Sequence, residues 1–221
     1  MCFPHLGAGA TAYSEFALDL GDTFRSWSIQ APGREDRSSE PLPTSFDELV
    51  GRCVEAINGE IGDRAVLFGH SFGALVAWSV ARSLARPPMQ LIVSGSQGPM
   101  DTRTSPLPQG DDASLIMWLE KVAGGPTPVT SDPRIRELFL PTIRHDLRLA
   151  QSIRPGTEPL RGVPIHVITA ESDPVATPAS MSGWYRATTG EVSFSSIPGG
   201  HFAVLKRGTL VRDVVLRNVF L

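Results

Sequence analysis

An α/β fold built on a mostly parallel sheet with helices on its faces is predicted for this chain by three observations. Short consecutive apolar runs alternate with stretches of helical periodicity. Ala65-Val66-Leu67-Phe68 reads as a short buried strand. It leads through a glycine-flanked serine directly into a helical pattern. With 221 residues, 41% of them hydrophobic and 19% charged, the chain is read as one soluble domain over 1–221.

In chain order, residues 24–29 alternate like a strand. Residues 45–61 read as a helix, with Ser45 and Glu48 spaced as a capping box and Phe46, Leu49, Cys53, Ala56 and Ile57 on one face. A buried strand at 65–68 is followed by a helix from Phe72 to Arg86, stopped by Pro87 and Pro88. Further strands are expected at 89–93, 165–169 and 192–197, and a helix over 204–221 closes the chain. Residues 99–159 break this rhythm with Pro/Gly-rich linkers around two amphipathic stretches. The first carries Leu115, Ile116, Trp118, Leu119 and Val122, the second Ile135, Leu138, Phe139, Ile143 and Leu147. Insertions of that length between strands commonly act as lids, and a helical lid insertion is expected here.

Several classes are excluded or disfavoured. Met1-Cys2-Phe3-Pro4-His5 has neither the basic nor the apolar region of a secretory signal, and no apolar run is long enough to span a bilayer. Cys2 and Cys53 cannot build a disulfide framework, and no Cys/His pair has metal-ligand spacing. The net charge of −3 argues against nucleic-acid binding. A cytoplasmic protein with no metal and no cofactor is expected, acting on neither nucleic acid nor membrane.

Gly69-His70-Ser71-Phe72-Gly73 fits Gly-x-Ser-x-Gly. Nucleophilic catalysis needs its serine on a tight strand-to-helix turn that projects Oγ from the sheet and faces a helix N-terminus, with glycines where two backbones approach. The pentapeptide alone arises readily by chance; the strand before it and the helix after it give it weight. This is the nucleophile turn of the α/β-hydrolase fold, whose partners follow in the order acid, then histidine. Among later histidines, His166 lies inside a strand and His145 in the amphipathic insertion. His201 follows the Pro198-Gly199-Gly200 turn at the end of a strand, where catalytic groups gather. Asp173, held before Pro174 after the preceding strand, is the expected acid, with Glu171 as runner-up. The alternative acid position one strand earlier, Ser94-Gly95-Ser96-Gln97, has no carboxylate.

The chain resembles the type II thioesterases that accompany polyketide synthases and nonribosomal peptide synthetases. The resemblance rests on Cys2-Phe3-Pro4-His5, Ala31-Pro32-Gly33-Arg34-Glu35-Asp36-Arg37, Leu67-Phe68-Gly69-His70-Ser71, Val93-Ser94-Gly95-Ser96 and Pro198-Gly199-Gly200-His201-Phe202. It implies hydrolysis of acyl groups from the phosphopantetheine arms of acyl or peptidyl carrier protein domains, through an acyl-enzyme on Ser71. It also implies an oxyanion hole made by the backbone N–H groups of Phe72 and Leu6. The chain departs from the family at Phe72, usually methionine, and at Leu6-Gly7-Ala8, usually Ala-Gly-Gly. The family strand leading into the Phe-Pro-His block has only Met1, Cys2 and Phe3 here, so an upstream start or a short pairing stub is expected. Trp118, Leu119, Phe139 and Ile143 are expected to line an acyl chamber. Arg134, Arg136, Arg144, Arg148, Arg154 and Arg161, partly offset by Asp132, Glu137, Asp146 and Glu158, are expected to offer a basic surface to an acidic carrier. The same triad would also serve a carboxylesterase or lipase on free small esters. A non-catalytic interaction protein on this fold is the less favoured alternative, because the triad is intact.

Overall fold

The computed structural model describes residues 1–60, 62, 64–101, 108 and 110–219. Five strands form one fully parallel sheet in the order β1-β2-β3-β4-β5: β1 (Cys2–Phe3), β2 (Val66–His70), β3 (Gln90–Ser94), β4 (Ile165–Ala170) and β5 (Val192–Ile197). Between and around them run α1 (Ser14–Leu20), α2 (Phe46–Ile57), α3 (Phe72–Ser83), α4 (Asp112–Ala123), α5 (Pro128–Ser131), α6 (Pro133–Ser152), α7 (Pro178–Met181) and α8 (Gly208–Val219).

Successive strand residues point to opposite faces, and this divides the apolar runs between two cores. Leu67, Leu91, Val93, Ile165 and Val167 face α2 and α3, while Phe68, Ile92, Ile168 and Ala170 face Phe16 and Leu20 of α1 and Val211, Val214 and Val215 of α8. Leu67, Leu91, Ile92, Val93 and Val167 are fully buried, each contributing about 1.5–3 kcal/mol by removal from water. α3 is buried almost all round, from Phe72 to Ala81, as a helix wedged between a sheet and a second helical layer must be. Edge strand β5 is half-exposed and serine-rich, and Ser193 and Ser195 bond both ring nitrogens of His166 at 2.8 and 2.9 Å. Polar side chains blunt an edge that would otherwise invite pairing with another chain.

Several expectations are adjusted. Residues 24–29 form no strand; they lie extended beside β1 and share one bridge with it, Ser28 against Cys2. A two-residue β1 offers no longer ladder. That stub is nonetheless well tied: the Met1 amino group donates to Val66 O at 2.9 Å, Phe68 N to Met1 O at 2.8 Å and Tyr13 Oη to Phe3 O at 3.0 Å. Ser45 caps α2 through Glu48 N at 3.1 Å, but Glu48 answers to Thr44 N and Oγ rather than to Ser45. The expected end of that helix, Ile61, lies outside the described residues. α3 stops at Ser83 because Leu84 is already extended at ψ 139°. The closing helix is split: a 3₁₀ turn covers His201–Lys206 and α8 starts at Gly208.

Of the 99–159 insertion, residues 102–107 and 109 lie outside the described residues. The rest holds α4, α5 and α6, with a small core of Leu115, Leu140, Ile143 and Leu147. α6 contains Pro141, which has no N–H to offer the Glu137 carbonyl. No described helix is long and apolar enough to cross a membrane.

Truncating the central β3 residue, Leu91→Ala, should lower unfolding free energy by about 2–5 kcal/mol, measured by urea denaturation with fluorescence and circular dichroism. A loss below about 1 kcal/mol would show that the site collapses around the deletion.

Candidate active site

The site is built where β2 turns into α3. Ser71 sits between them with φ 55° and ψ −122°, a left-handed conformation that is strained for a residue with a Cβ, by about 1–3 kcal/mol. Its neighbours permit it. A Cβ on Gly69 would lie 2.3 Å from Gly73 O, and one on Gly73 would lie 2.1 Å from Phe3 O. Strand, helix and β1 therefore approach more closely than any other residue pair would allow. Ser71 N donates to Ser94 O at 2.8 Å, anchoring the turn to β3. Phe72 is the first residue of α3, where an N–H has no partner within the helix and the helix dipole has its positive end.

The acid and histidine come from the ends of β4 and β5. Asp173 Oδ2 accepts His201 Nδ1–H at 2.8 Å, and both side chains are buried. Asp173 Oδ1 accepts the N–H groups of Val175 and Ala176 at 2.8 and 3.0 Å, a turn fixed by the intervening Pro174. Burial pushes the Asp173 carboxyl up, but His201 and these two N–H groups outweigh it and hold it below its usual value. An ionised carboxylate can only accept, so Nδ1 carries a proton in this bond. Glu171 is exposed, and His201's carboxylate partner is Asp173. His145 and His166 stand apart, on α6 and β4.

His201 packs in a group of rings. Its centroid lies 4.7 Å from His70 and 5.0 Å from Phe202, and Phe202 also meets His5 at 5.1 Å. Burial, followed by the charge of His201, pushes His70 well below the ordinary histidine value and His5 down to about 4. His70 Nδ1 pairs with Ser94 Oγ at 2.8 Å. Gly95 at φ +62° makes the packing feasible, since a Cβ there would lie 2.4 Å from His70 Cε1 and 3.1 Å from His201 Cε1.

Ser71, His201, Phe72 and Leu6 share the walls of one cavity of about 330 Å³. Trp118, Ala150, Pro174, Val175 and Ala176 supply apolar wall, and Ser96, Gln97 and Lys121 polar wall. Of the expected chamber residues only Trp118 takes part. Leu119 and Ile143 pack into the small core of the insertion, and Phe139 is 41% exposed because it lies off the Leu140-Ile143-Leu147 face. A larger hollow of about 690 Å³, walled by Met1, Phe16, Trp27 and Val215 among others, contains none of these groups. Among the described residues no cluster of His, Cys, Asp or Glu could hold a metal, and both cysteines are buried and free.

The loop after His5 is held by groups that the sequence reading did not assign. Gly7 N–H donates to Asp146 Oδ2 at 2.7 Å, Arg34 Nη1 to Ala8 O at 2.7 Å, and Arg34 Nη2 pairs with Asp146 Oδ1 at 2.5 Å. Beyond them Gln30 Oε1 accepts Ala10 N–H at 2.9 Å and Glu35 Oε1 accepts Thr11 Oγ1–H at 2.5 Å. The Pro-Gly-Arg-Glu-Asp-Arg block is thus a clamp on this loop. Asp146, expected as a surface charge, is completely buried, and burial pushes its carboxyl up although Arg34 and Gly7 pull the other way. Of the expected basic surface, Arg136 folds onto Thr130 O, and Arg144 pairs with Asp112 and Gly110 O. Arg134, Arg148, Arg154 and Arg161 are exposed.

Residues 1–219 match the family model described as thioesterase domain. The thioesterase PikA5 of Streptomyces venezuelae is 30% identical over 207 residues, 91% of this chain and 74% of that protein. The RedJ thioesterase from the prodiginine biosynthetic pathway in Streptomyces coelicolor superposes with a TM-score of 0.86 at 29% identity, covering 100% of this chain and 84% of the other. The type II thioesterase BorB from the borrelidin biosynthetic cluster gives a TM-score of 0.87 at 30% identity, over 99% of this chain and 91% of that one.

The buried histidines make stability depend on acid. His5 and His166 are lowered from 6.5 to about 4, and His70 is lowered too, chiefly by burial. Between pH 6.5 and 4 the unfolded chain therefore binds more protons than the fold, and stability falls as pH drops, by up to about 1.4 kcal/mol per pH unit for each histidine. Urea unfolding followed from pH 7 to 4.5 should show this slope, and His166→Gln should make it shallower by about one histidine. An unchanged slope would mean that His166 titrates normally in the fold.

Proposed function

The chain belongs to the thioesterase domain family, and from that premise we propose that it releases acyl groups from the phosphopantetheine arms of carrier proteins in polyketide or nonribosomal peptide biosynthesis. It is a serine hydrolase of the α/β-hydrolase type and a type II thioesterase of those systems. The proposal adds its substrate and the roles of its residues. The observation that carries these is the His201–Asp173 bond of 2.8 Å opening on the same cavity as the strained Ser71 turn.

In this reading Ser71 Oγ attacks the thioester carbonyl and passes its proton to His201 Nε2. Asp173 holds the ring in the required tautomer and stabilises the imidazolium. The oxyanion of the tetrahedral intermediate takes hydrogen bonds from Phe72 N–H and Leu6 N–H. As it collapses, the C–S bond breaks and His201 gives its proton to the pantetheine sulfur. Water, deprotonated by His201, then attacks the acyl-enzyme and frees the carboxylic acid and Ser71. The neutral His5 and His70 add no positive charge beside the imidazolium, which would otherwise disfavour it. No cofactor enters, because phosphopantetheine arrives with the substrate.

The insertion serves as a lid. Trp118 and Lys121 of α4 and Ala150 of α6 contribute to the walls of the cavity that also holds Ser71 and His201, which serves as the acyl chamber. Carrier docking is assigned to the outer face of α6, where Arg134, Leu138, Pro141 and Arg148 are exposed at helical spacing. Leu138 is 72% exposed, so the face combines two arginines, partly offset by the exposed Glu137, with an apolar contact suited to an acidic partner.

Mass spectrometry of a panel of acylated carrier proteins tests the activity directly, with loss of the acyl mass expected and simple esters turned over more slowly. Ser71→Ala and His201→Ala should leave only the roughly 10³–10⁴-fold residual over water, and Asp173→Asn should lower turnover about 10⁴-fold in a folded protein. Full activity in Asp173→Asn would remove Asp173 from the triad. Paired charge reversal, Arg134→Glu with Arg148→Glu, should raise KM at least about fivefold for acyl-carrier protein and leave KM for acyl-pantetheine unchanged. Equal effects on both substrates would place these arginines in the fold of the lid.

A further inference from the structure

We propose that the buried Arg34–Asp146 pair is a positioning device for the oxyanion hole, through which the helix over the cavity fixes the backbone of residues 6–8. The inference rests on the assignment of Leu6 N–H as an oxyanion donor.

Two bonds reach that backbone, and a third joins the side chains that make them. Asp146 Oδ2 takes Gly7 N–H at 2.7 Å, Arg34 Nη1 gives to Ala8 O at 2.7 Å, and the two side chains join at 2.5 Å. Ala8 N donates to His5 O at 3.0 Å, closing a turn around Leu6 and Gly7, with Gly7 at φ +75°. A Cβ on Gly7 would lie 2.4 Å from Ile143 Cγ1, so the turn rests directly against α6. With both ends of the turn held, the His5–Leu6 peptide, which carries the donor, has little freedom to rotate.

Burial argues for direction over stability. Arg34 is 7% exposed and Asp146 0%, so both charges have lost their water, and a well-packed apolar pair of similar volume would stabilise the fold as well or better. What the apolar pair would lack is the fork of a guanidinium and the two acceptor oxygens of a carboxylate, which set angles as well as distances. That geometry is spent on two backbone groups of the loop that lines the cavity beside Ser71.

The test compares Asp146→Asn with the double variant Arg34→Met/Asp146→Leu in the full-length enzyme. The single variant leaves the buried guanidinium without a counter-ion and replaces one of two acceptor oxygens by a donor NH2, so it should lose thermal stability. The double variant removes both charges but leaves Gly7 N–H and Ala8 O without these partners, so it should melt below the unsubstituted protein by less than the single variant does. In both, kcat for a short acyl-pantetheine should fall tenfold to a thousandfold while KM changes less than threefold, and amide exchange in a peptide spanning residues 5–8 should accelerate. A stable double variant with an undisturbed kcat and unchanged loop exchange would overturn the positioning role. Faster loop exchange with undisturbed kcat would instead reject Leu6 as the oxyanion donor, and the proposal with it.

Discussion

The left-handed backbone of Ser71 is the constraint on which the rest of the molecule depends. A residue with a Cβ holds φ 55° only when its surroundings leave no alternative. Here β2 and α3 are both buried, and Gly69 and Gly73 let the turn close against α3 and β1. The parallel sheet then determines where partners can come from. Ser94 at the end of β3, Asp173 beyond β4 and His201 beyond β5 all emerge on the same side as the serine turn. Residues distant in sequence become neighbours because every strand points the same way.

Electrostatics around the histidine follow from exclusion of water. Packed against His70 and Phe202, the His201 ring meets the fixed field of the Asp173 carboxylate, itself held by two backbone N–H groups. The surrounding histidines are kept neutral by the same burial. One environment thus suppresses charge at two imidazoles while a third has a carboxylate at hydrogen-bond distance.

What the sequence makes legible and what it hides have separate physical causes. The strands at 66–70, 90–94 and 165–170 lie within a residue or two of expectation because strands buried on both faces leave apolar runs, and edge strand 192–197 is found at its expected place although it is half-exposed and serine-rich. That Asp173 bonds His201 beside the cavity shared with Ser71 agrees with the order in which strand-end loops of such a sheet present these residue types. The Arg34–Asp146 pair was not legible, since its members stand 112 positions apart and a charged residue is ordinarily a surface residue. A signal did exist: Asp146 falls three residues after Ile143 and four before Ala150, on the buried stripe of α6. Phe139 fails in the reverse sense, apolar yet off that stripe. Residues 24–29 carry a strand's alternation, but β1 beside them offers too few residues to pair with.

Pro141 divides α6 into two arms that answer to different masters. A missing backbone hydrogen bond makes that point the softest in flexure along an otherwise stiff rod. The arm before it carries the exposed Arg134 and Leu138; the arm after it carries Ile143, Asp146 and Ala150, locked to the loop and the cavity. Backbone hydrogen bonding along the helix is therefore interrupted between the turns that carry Arg134 and Leu138 and those whose Asp146 holds Gly7 N–H, and the side-chain core of Leu140, Ile143 and Leu147 spans the break.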